Sequence, residues 1–199
     1  MKELVFYYGA MGCGKTRRLQ DNYYGKIEDG FKVIIVKPFI DKKGDKNIIS
    51  RDGNKIKVDF LISKKDNIYS KIAEYIYDNK LDYILVDEAQ FLEAKQVEEL
   101  GHIVNDLGIN VICYGLRTDF RGYLFEGSKR LFEVADRLYQ LERQCSCGRV
   151  KIYNMRMVND KAVFDGDIVA IDGIDAVYKS VCSKCFCEER KIYINNKKD

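Results

Sequence analysis

The sequence predicts an α/β protein: a central parallel sheet carrying a phosphate loop, followed by a small metal-tied subdomain. Three observations carry that prediction. Gly9-Ala10-Met11-Gly12-Cys13-Gly14-Lys15-Thr16 fits G-x-x-x-x-G-K-[ST] at every required position, between a strand-like run at 4–8 and a run at 17–22 able to continue a helix. Short continuous apolar runs recur at 31–37, 83–86 and 109–114, as expected of strands buried on both faces of a parallel sheet. Five of the seven cysteines fall in the last third of the chain.

The residue types of the loop follow from what it must hold. Glycines let backbone N–H groups converge on phosphate oxygens, and the helix that follows adds the partial positive charge of its N-terminus. Lys15 is placed to reach the β- and γ-phosphates, and Thr16 to offer its hydroxyl to Mg2+. The site takes a nucleoside triphosphate.

A chain of 199 residues with 46% hydrophobic and 33% charged residues can bury a sizeable core. Its net charge of +3 does not by itself argue for nucleic acid. No segment approaches the roughly 18 apolar residues of a membrane span, and the N-terminal run lacks a cleavage site, so a cytoplasmic location without a membrane partner is expected. In a reducing compartment the cysteine cluster points to metal before disulfides.

Past the first helix, 31–37 reads as a buried strand. Residues 40–59 turn polar and irregular; they read as a candidate lid able to bring Asp41, Lys43 or Arg51 to the triphosphate, against the plainer reading of a solvated linker. Ile68, Ile72, Tyr75 and Ile76 recur at helical spacing, with Asp66 as the expected N-cap. Tyr83-Ile84-Leu85-Val86 runs into Asp87-Glu88. A carboxylate at the end of a strand beside a phosphate loop can hold Mg2+, which is the role expected of Asp87. Glu88 can then accept the proton of an attacking hydroxyl. A helix over 93–107 carries the only histidine, His102, to which no role is assigned. The strand at 109–114 leads into the polar loop 115–122, and 136–141 reads as the last strand of the sheet. Ligands of such sheets sit at the carboxyl ends of the strands, where these loops share one crevice.

From Glu142 the character changes. Cys145 and Cys147 form one knuckle, Cys182 and Cys185 another, and four thiolates suit a tetrahedral Zn2+. With every position filled, the zinc is structural. Cys187 is too close to Cys185 to be the first choice. Strands are expected at 150–158 and 162–164, joined by the turn 159–161, then a loop from Asp165 to Tyr178. The last five residues read as a solvated tail. Residues 196–199 match the guanine-reading N-K-x-D pattern, but Asp87-Glu88-Ala89-Gln90 lacks the D-x-x-G that accompanies it in GTPases.

Taken together, Gly9 to Thr16 with Met11 inside, Val86-Asp87-Glu88-Ala89-Gln90-Phe91, residues 114–122 and the paired cysteine knuckles at 145–148 and 178–185 resemble the type II thymidine kinase family over nearly the whole chain. The resemblance implies a RecA-like phosphate-loop domain over 1–141 and a zinc-binding lasso subdomain over 142–199. It implies transfer of the γ-phosphate of ATP to the 5′-hydroxyl of thymidine or deoxyuridine, with Glu88 as general base and Mg2+ held by Thr16 and Asp87. ATP would lie along Gly9, Ala10, Met11, Gly12, Cys13, Gly14, Lys15 and Thr16, with Asp87, Glu88, Ala89 and Gln90 beside it. Met11, Phe91, Leu116 and Phe120 would surround the thymine ring, under a loop ending at Tyr178. A homotetramer is the usual assembly of such enzymes. Two stretches depart from the family pattern. Lys43 stands where the lid usually carries arginine, and Asp172-Gly173-Ile174 with Ala176 replaces the usual glycine pair and acid. The rival from the residues alone is a nucleic-acid-dependent ATPase with a zinc ribbon. The small size, the absence of helicase-like repeats and the near-neutral cysteine region weigh against it.

Overall fold

The computed structural model describes residues 1–39, 46–49, 53, 55–167 and 177–197. In chain order the elements are β1 (Leu4–Gly9), α1 (Lys15–Glu28), β2 (Val33–Pro38), β3 (Asn47–Ile49), β4 (Lys55–Lys57), β5 (Phe60–Ile62), α2 (Ile68–Asp78), β6 (Tyr83–Val86), a 3-10 turn (Ala89–Phe91), α3 (Ala94–Leu107), β7 (Asn110–Leu116), α4 (Glu126–Val134), β8 (Arg137–Gln140), β9 (Tyr153–Val158), β10 (Lys161–Val163), β11 (Val177–Val181) and α5 (Ser183–Asn196). Six strands make one parallel sheet in the order β5-β2-β6-β7-β1-β8. A three-stranded antiparallel sheet, β10-β9-β11, stands apart from it.

The alternation of side chains along each strand divides the core into two layers. Phe6, Val36, Ile84, Val86 and Val111 face α2, α3 and α4, where Ile68, Ile72, Leu100, Ile103 and Leu131 meet them. Ile35, Leu85, Ile112 and Tyr114 face the other way, toward Leu19 of α1, Ile48 and Ile56 of the short β3–β4 pair, and Val58 just past it. Each fully buried Ile or Leu in these layers stabilises the fold by about 1.5–3 kcal/mol. The continuous apolar runs are therefore strands covered on both faces.

Several elements differ from expectation. The cap of α2 is Asn67, whose Oδ1 accepts from the Ser70 N–H at 2.7 Å; Asp66 instead accepts from the Ser63 N–H at 2.7 Å. Part of the polar stretch 40–59 is ordered secondary structure: Ile48 faces Ile56 across an antiparallel ladder. Each of these strands is three residues long and shows one buried isoleucine, so the charged composition conceals them. The helices α4 and α5 were not expected. α5 begins inside the second cysteine knuckle and runs to Asn196, so Asn195 and Asn196 belong to a helix end, and Lys197 pairs with Asp165. Its anchor is Phe186, stacked on Tyr153 at 4.2 Å between ring centroids and edge-on to Phe164.

Candidate functional site

The phosphate loop sits where β1 hands over to α1. Gly14 adopts φ 86°, a left-handed conformation that a side chain would strain, and this turns the chain into the first helical N–H groups. The Lys15 ammonium donates to the Ala10 carbonyl at 2.9 Å. Burial lowers its pKa, opposed by the nearby Glu88 carboxylate and, less strongly, by Asp87. A partly buried cation with loop carbonyls as its hydrogen-bond acceptors suits an incoming polyphosphate.

The acids come from the neighbouring strand. Just past the end of β6, the Asp87 N–H donates to the Val36 carbonyl at 2.9 Å, which fixes the turn. Asp87 is buried, and burial, followed by the Glu88 charge, pushes its carboxyl up to about 7, with Lys37 and Lys15 pulling back. Glu88 is half-buried with φ 52°. Among the described residues, the other non-glycine residues in the left-handed region, Asn159 and Asp160, form the tight turn between β9 and β10, where such angles are ordinary. At Glu88 the conformation costs about 1–3 kcal/mol, the kind of local strain that collects at working sites.

A carboxyl whose folded-state pKa lies above its unfolded value contributes stability that is present at low pH and lost as pH rises toward the folded value. For Asp87 that window runs from 3.8 to about 7. Asp87→Asn is therefore expected to raise the melting temperature of the ligand-free protein at pH 8 and to flatten its decline between pH 4 and 7. A lower melting temperature than the parent at pH 8 would contradict this.

The residues expected around the pyrimidine fall into two sets of contacts. Phe91 packs edge-on against Phe125, and Leu116 at the end of β7 donates its N–H to the Gln90 amide. Ala89 and Gln90 are both buried, and the Gln90 amide is bonded to Leu116 and Glu88. Phe120, Tyr178 and Met11 gather on β9. The Arg156 guanidinium carbon lies 3.6 Å from the centre of the Phe120 ring, while its Nε and Nη2 donate to the Tyr178 hydroxyl at 3.1 and 3.0 Å and Nη2 to the Asp167 carbonyl at 2.7 Å. Two positions earlier, Asn154 Oδ1 accepts from the Met11 N–H at 2.7 Å, and the Ser180 hydroxyl donates to the Met11 carbonyl at 2.7 Å. Arg143 donates to the Gly12 carbonyl at 2.9 Å. The loop that carries Phe120 is held by Asp119, which accepts from the Arg121 and Tyr123 N–H groups and pairs with the Arg121 guanidinium at 2.7 Å.

Sequence reasoning missed Asn154 and Arg156. The available signal was two polar side chains at alternate positions of a strand, hence on one face, both almost wholly buried. A cavity of about 510 Å³ opens beside this region, lined among others by Met11, Gly12, Arg143, Tyr178 and Ser180.

The four expected cysteines converge. All four Sγ atoms of Cys145, Cys147, Cys182 and Cys185 lie within 4.8 Å of one another, with Cys147–Cys182 at 3.3 Å, Cys147–Cys185 at 3.7 Å and Cys145–Cys185 at 4.0 Å. A tetrahedral zinc with bonds of 2.3 Å requires sulfur–sulfur edges of about 3.8 Å, a value these separations bracket, so the set suits that ion after small side-chain shifts. Backbone N–H groups of Cys147 and Cys182 draw the Cys145 thiol down to about 6, whereas hydrogen bonding to its neighbours' sulfurs pushes Cys185 up to about 12. Four sulfurs this close do not all ionise without a cation among them. Cys187 is exposed and outside the set.

The expected lid residues Asp41, Lys43 and Arg51 lie outside the described residues, as do 172–174, 176, Lys198 and Asp199. His102 is a surface residue beside Asp106. Among the described residues no helix is long and apolar enough to cross a membrane.

A family model described as thymidine kinase matches residues 2–186. A thymidine kinase of Photobacterium profundum is 40% identical over 192 residues, spanning 94% of this chain and 98% of its own. One of Vibrio vulnificus is 42% identical over 193 residues, with the same 94% and 98% shares. Among solved structures, the replication initiator DnaA bound to AMPPCP and single-stranded DNA is similar at 22% identity and a TM-score of 0.41, over 71% of this chain and 41% of that one, a likeness too loose to bear on function.

Proposed function

The chain belongs to the thymidine kinase family, and from that premise we propose that it transfers the γ-phosphate of ATP to the 5′-hydroxyl of thymidine or deoxyuridine, with Glu88 as general base. The observation that carries the reading is the joint placement of Lys15, Asp87 and Glu88 beyond the carboxyl ends of β1 and β6, close enough for the Glu88 charge to act on both Lys15 and Asp87.

Lys15 leaves the Ala10 carbonyl and takes the β- and γ-phosphate oxygens, while the N–H groups of the loop and the first turn of α1 hold the rest. Thr16 and Asp87 would hold Mg2+; the buried Asp87, protonated with unusual ease in the free protein, ionises fully against a divalent cation. Mg2+, when bound, spreads the charge that develops on the β- and γ-oxygens. Glu88 takes the proton of the 5′-hydroxyl as that oxygen bonds to the γ-phosphorus and the bond to the ADP oxygen breaks. Met11, Phe91, Leu116, Phe120 and Tyr178 shape the nucleoside side, with Arg156 holding the Phe120 ring and the Tyr178 hydroxyl in register. Ala89 and Gln90, both buried, back the nucleotide side from within the protein, out of contact with ATP itself. The lid residues Asp41 with Lys43 or Arg51 close on the phosphates. The zinc at Cys145, Cys147, Cys182 and Cys185 is structural, since its four positions are filled by the chain. The working assembly is a homotetramer, and no nucleic acid takes part.

ADP release with a panel of nucleosides and with single-stranded DNA tests the reading. Thymidine and deoxyuridine are expected to drive ADP formation and DNA to leave it at background. Stimulation by DNA alone would favour the ATPase.

A further inference from the structure

We infer that Gln90 is a positioning residue for phosphoryl transfer: its amide fixes the Glu88 carboxylate relative to the end of β7, where the pocket residue Leu116 stands. The inference deepens the proposed function and rests on Glu88 as the proton acceptor.

Gln90 is 1% exposed, yet both ends of its amide are engaged. Oε1 accepts from the Leu116 N–H at 2.9 Å, and Nε2 donates to Glu88 Oε2 at 2.5 Å. Chemistry settles this orientation, because a backbone N–H only donates and an ionised carboxylate only accepts. Leu116 is held from its other side as well: its carbonyl accepts from the fully buried Ser128 hydroxyl at 2.6 Å. A direct hydrogen-bonded relay thus runs from Glu88 through Gln90 and Leu116 to Ser128 on α4. Among the described residues, Gln90 is the side chain that bonds the Glu88 carboxylate, and it uses one oxygen. The other oxygen is left for a substrate hydroxyl.

Two backbones crowd in to make this possible. A Cβ at Gly115 would fall 2.9 Å from Gln90 Oε1 and 3.1 Å from the Gln90 backbone nitrogen. A Cβ at Gly127 would fall 2.5 Å from the Ala89 carbonyl and 2.7 Å from that of Leu92. Tying the 3-10 turn to β7 would need only the Oε1 end of the amide. The Nε2 end is spent on a residue whose own backbone already sits at φ 52°. Backbone and side chain of Glu88 are therefore both constrained, as pre-organisation of a reacting group requires.

Gln90→Glu separates the two ends. The new carboxylate can still accept from Leu116, but it offers Glu88 no donor and repels it. Its kcat is expected to fall on the order of tenfold to a hundredfold, the cost of a misplaced reacting group, with the Kd for ATP changed less than about threefold. Gly115→Ala, which displaces the same amide from the other side, is expected to lower kcat similarly and to be non-additive with Gln90→Met. It also supplies the test should Gln90→Glu not fold. Glu88→Gln, run in parallel, separates the two levels. If it keeps near-normal turnover, the general-base reading falls and this inference with it. If it is inactive while Gln90→Glu, or Gly115→Ala in its place, keeps kcat within about twofold of the parent, the positioning role of Gln90 alone is overturned.

Discussion

Glu88→Gln is expected to fold, to bind ATP with nearly unchanged affinity, and to transfer phosphate at least ~100-fold more slowly, the lower end of what losing a general base costs. The amide nearly matches the carboxylate in volume, so packing around the 3-10 turn survives. It cannot accept a proton, and its carbonyl oxygen must face the Gln90 donor if that hydrogen bond is to persist. The NH2 group would then point where the substrate hydroxyl needs an acceptor. Removing the Glu88 charge also removes the second cause of the raised Asp87 pKa, so Asp87 should ionise more readily and metal binding should not suffer. Single-turnover rates with saturating ATP and thymidine, read beside ATP affinity by calorimetry, check this. Slowed turnover that tracked a loss of ATP affinity would mean that Glu88 serves binding and not proton transfer.

The second large effect is expected from the metal. The subdomain built on β9, β10 and β11 has a small core, chiefly Met155, Ala162, Phe164, Val181 and Phe186, too little to fold a three-stranded sheet unaided. Closing a four-thiolate zinc site supplies folding free energy directly, about 10–16 kcal/mol in zinc-finger peptides. The same strands grip the phosphate loop through Asn154 and Ser180 on Met11, and Arg143 grips Gly12. Stripping the metal, or Cys182→Ser, should therefore unfold β9–β11, release that grip and reduce turnover by on the order of a hundredfold or more, as expected where metal binding is folding free energy. ATP affinity should suffer less, because the loop itself is carried by β1 and α1. Atomic absorption is expected to find a single zinc per chain, and hydrogen exchange should show protection of β9 and β11 lost with it. Full activity in metal-free protein would contradict the account.

What could be read from the residues, and what could not, divides along sequence separation. The phosphate loop is legible because eight consecutive residues define both its geometry and its chemistry. Asp87 and Glu88 are legible because an apolar run ends in them, and the cysteine knuckles because their spacing reflects ligand geometry. Arg156 was not legible: its partners Phe120 and Tyr178 lie on other elements, and nothing local marks a buried guanidinium in a strand. Gln90 appeared in the sequence as part of a nucleotide motif; its link to Leu116 spans 26 positions and exists only once β6 and β7 pair. The cap of α2 was misplaced by one residue because Asp66 and Asn67 are both good caps, and a separate bond from Ser63 decides between them. α4 went unseen because much of Glu126–Val134 is polar, with its buried side, Gly127, Ser128 and Leu131, too small and mixed to announce a helix.

The arrangement at the centre of this account is a glutamate held between a phosphate cradle and a nucleoside pocket. A crystal structure with thymidine and a non-hydrolysable ATP analogue measures it directly. A Glu88 carboxylate oxygen is expected within about 2.6–3.2 Å of the 5′-oxygen, with that oxygen facing the γ-phosphorus. A Glu88 side chain turned away from the nucleoside, with another acceptor on the 5′-hydroxyl, would contradict it.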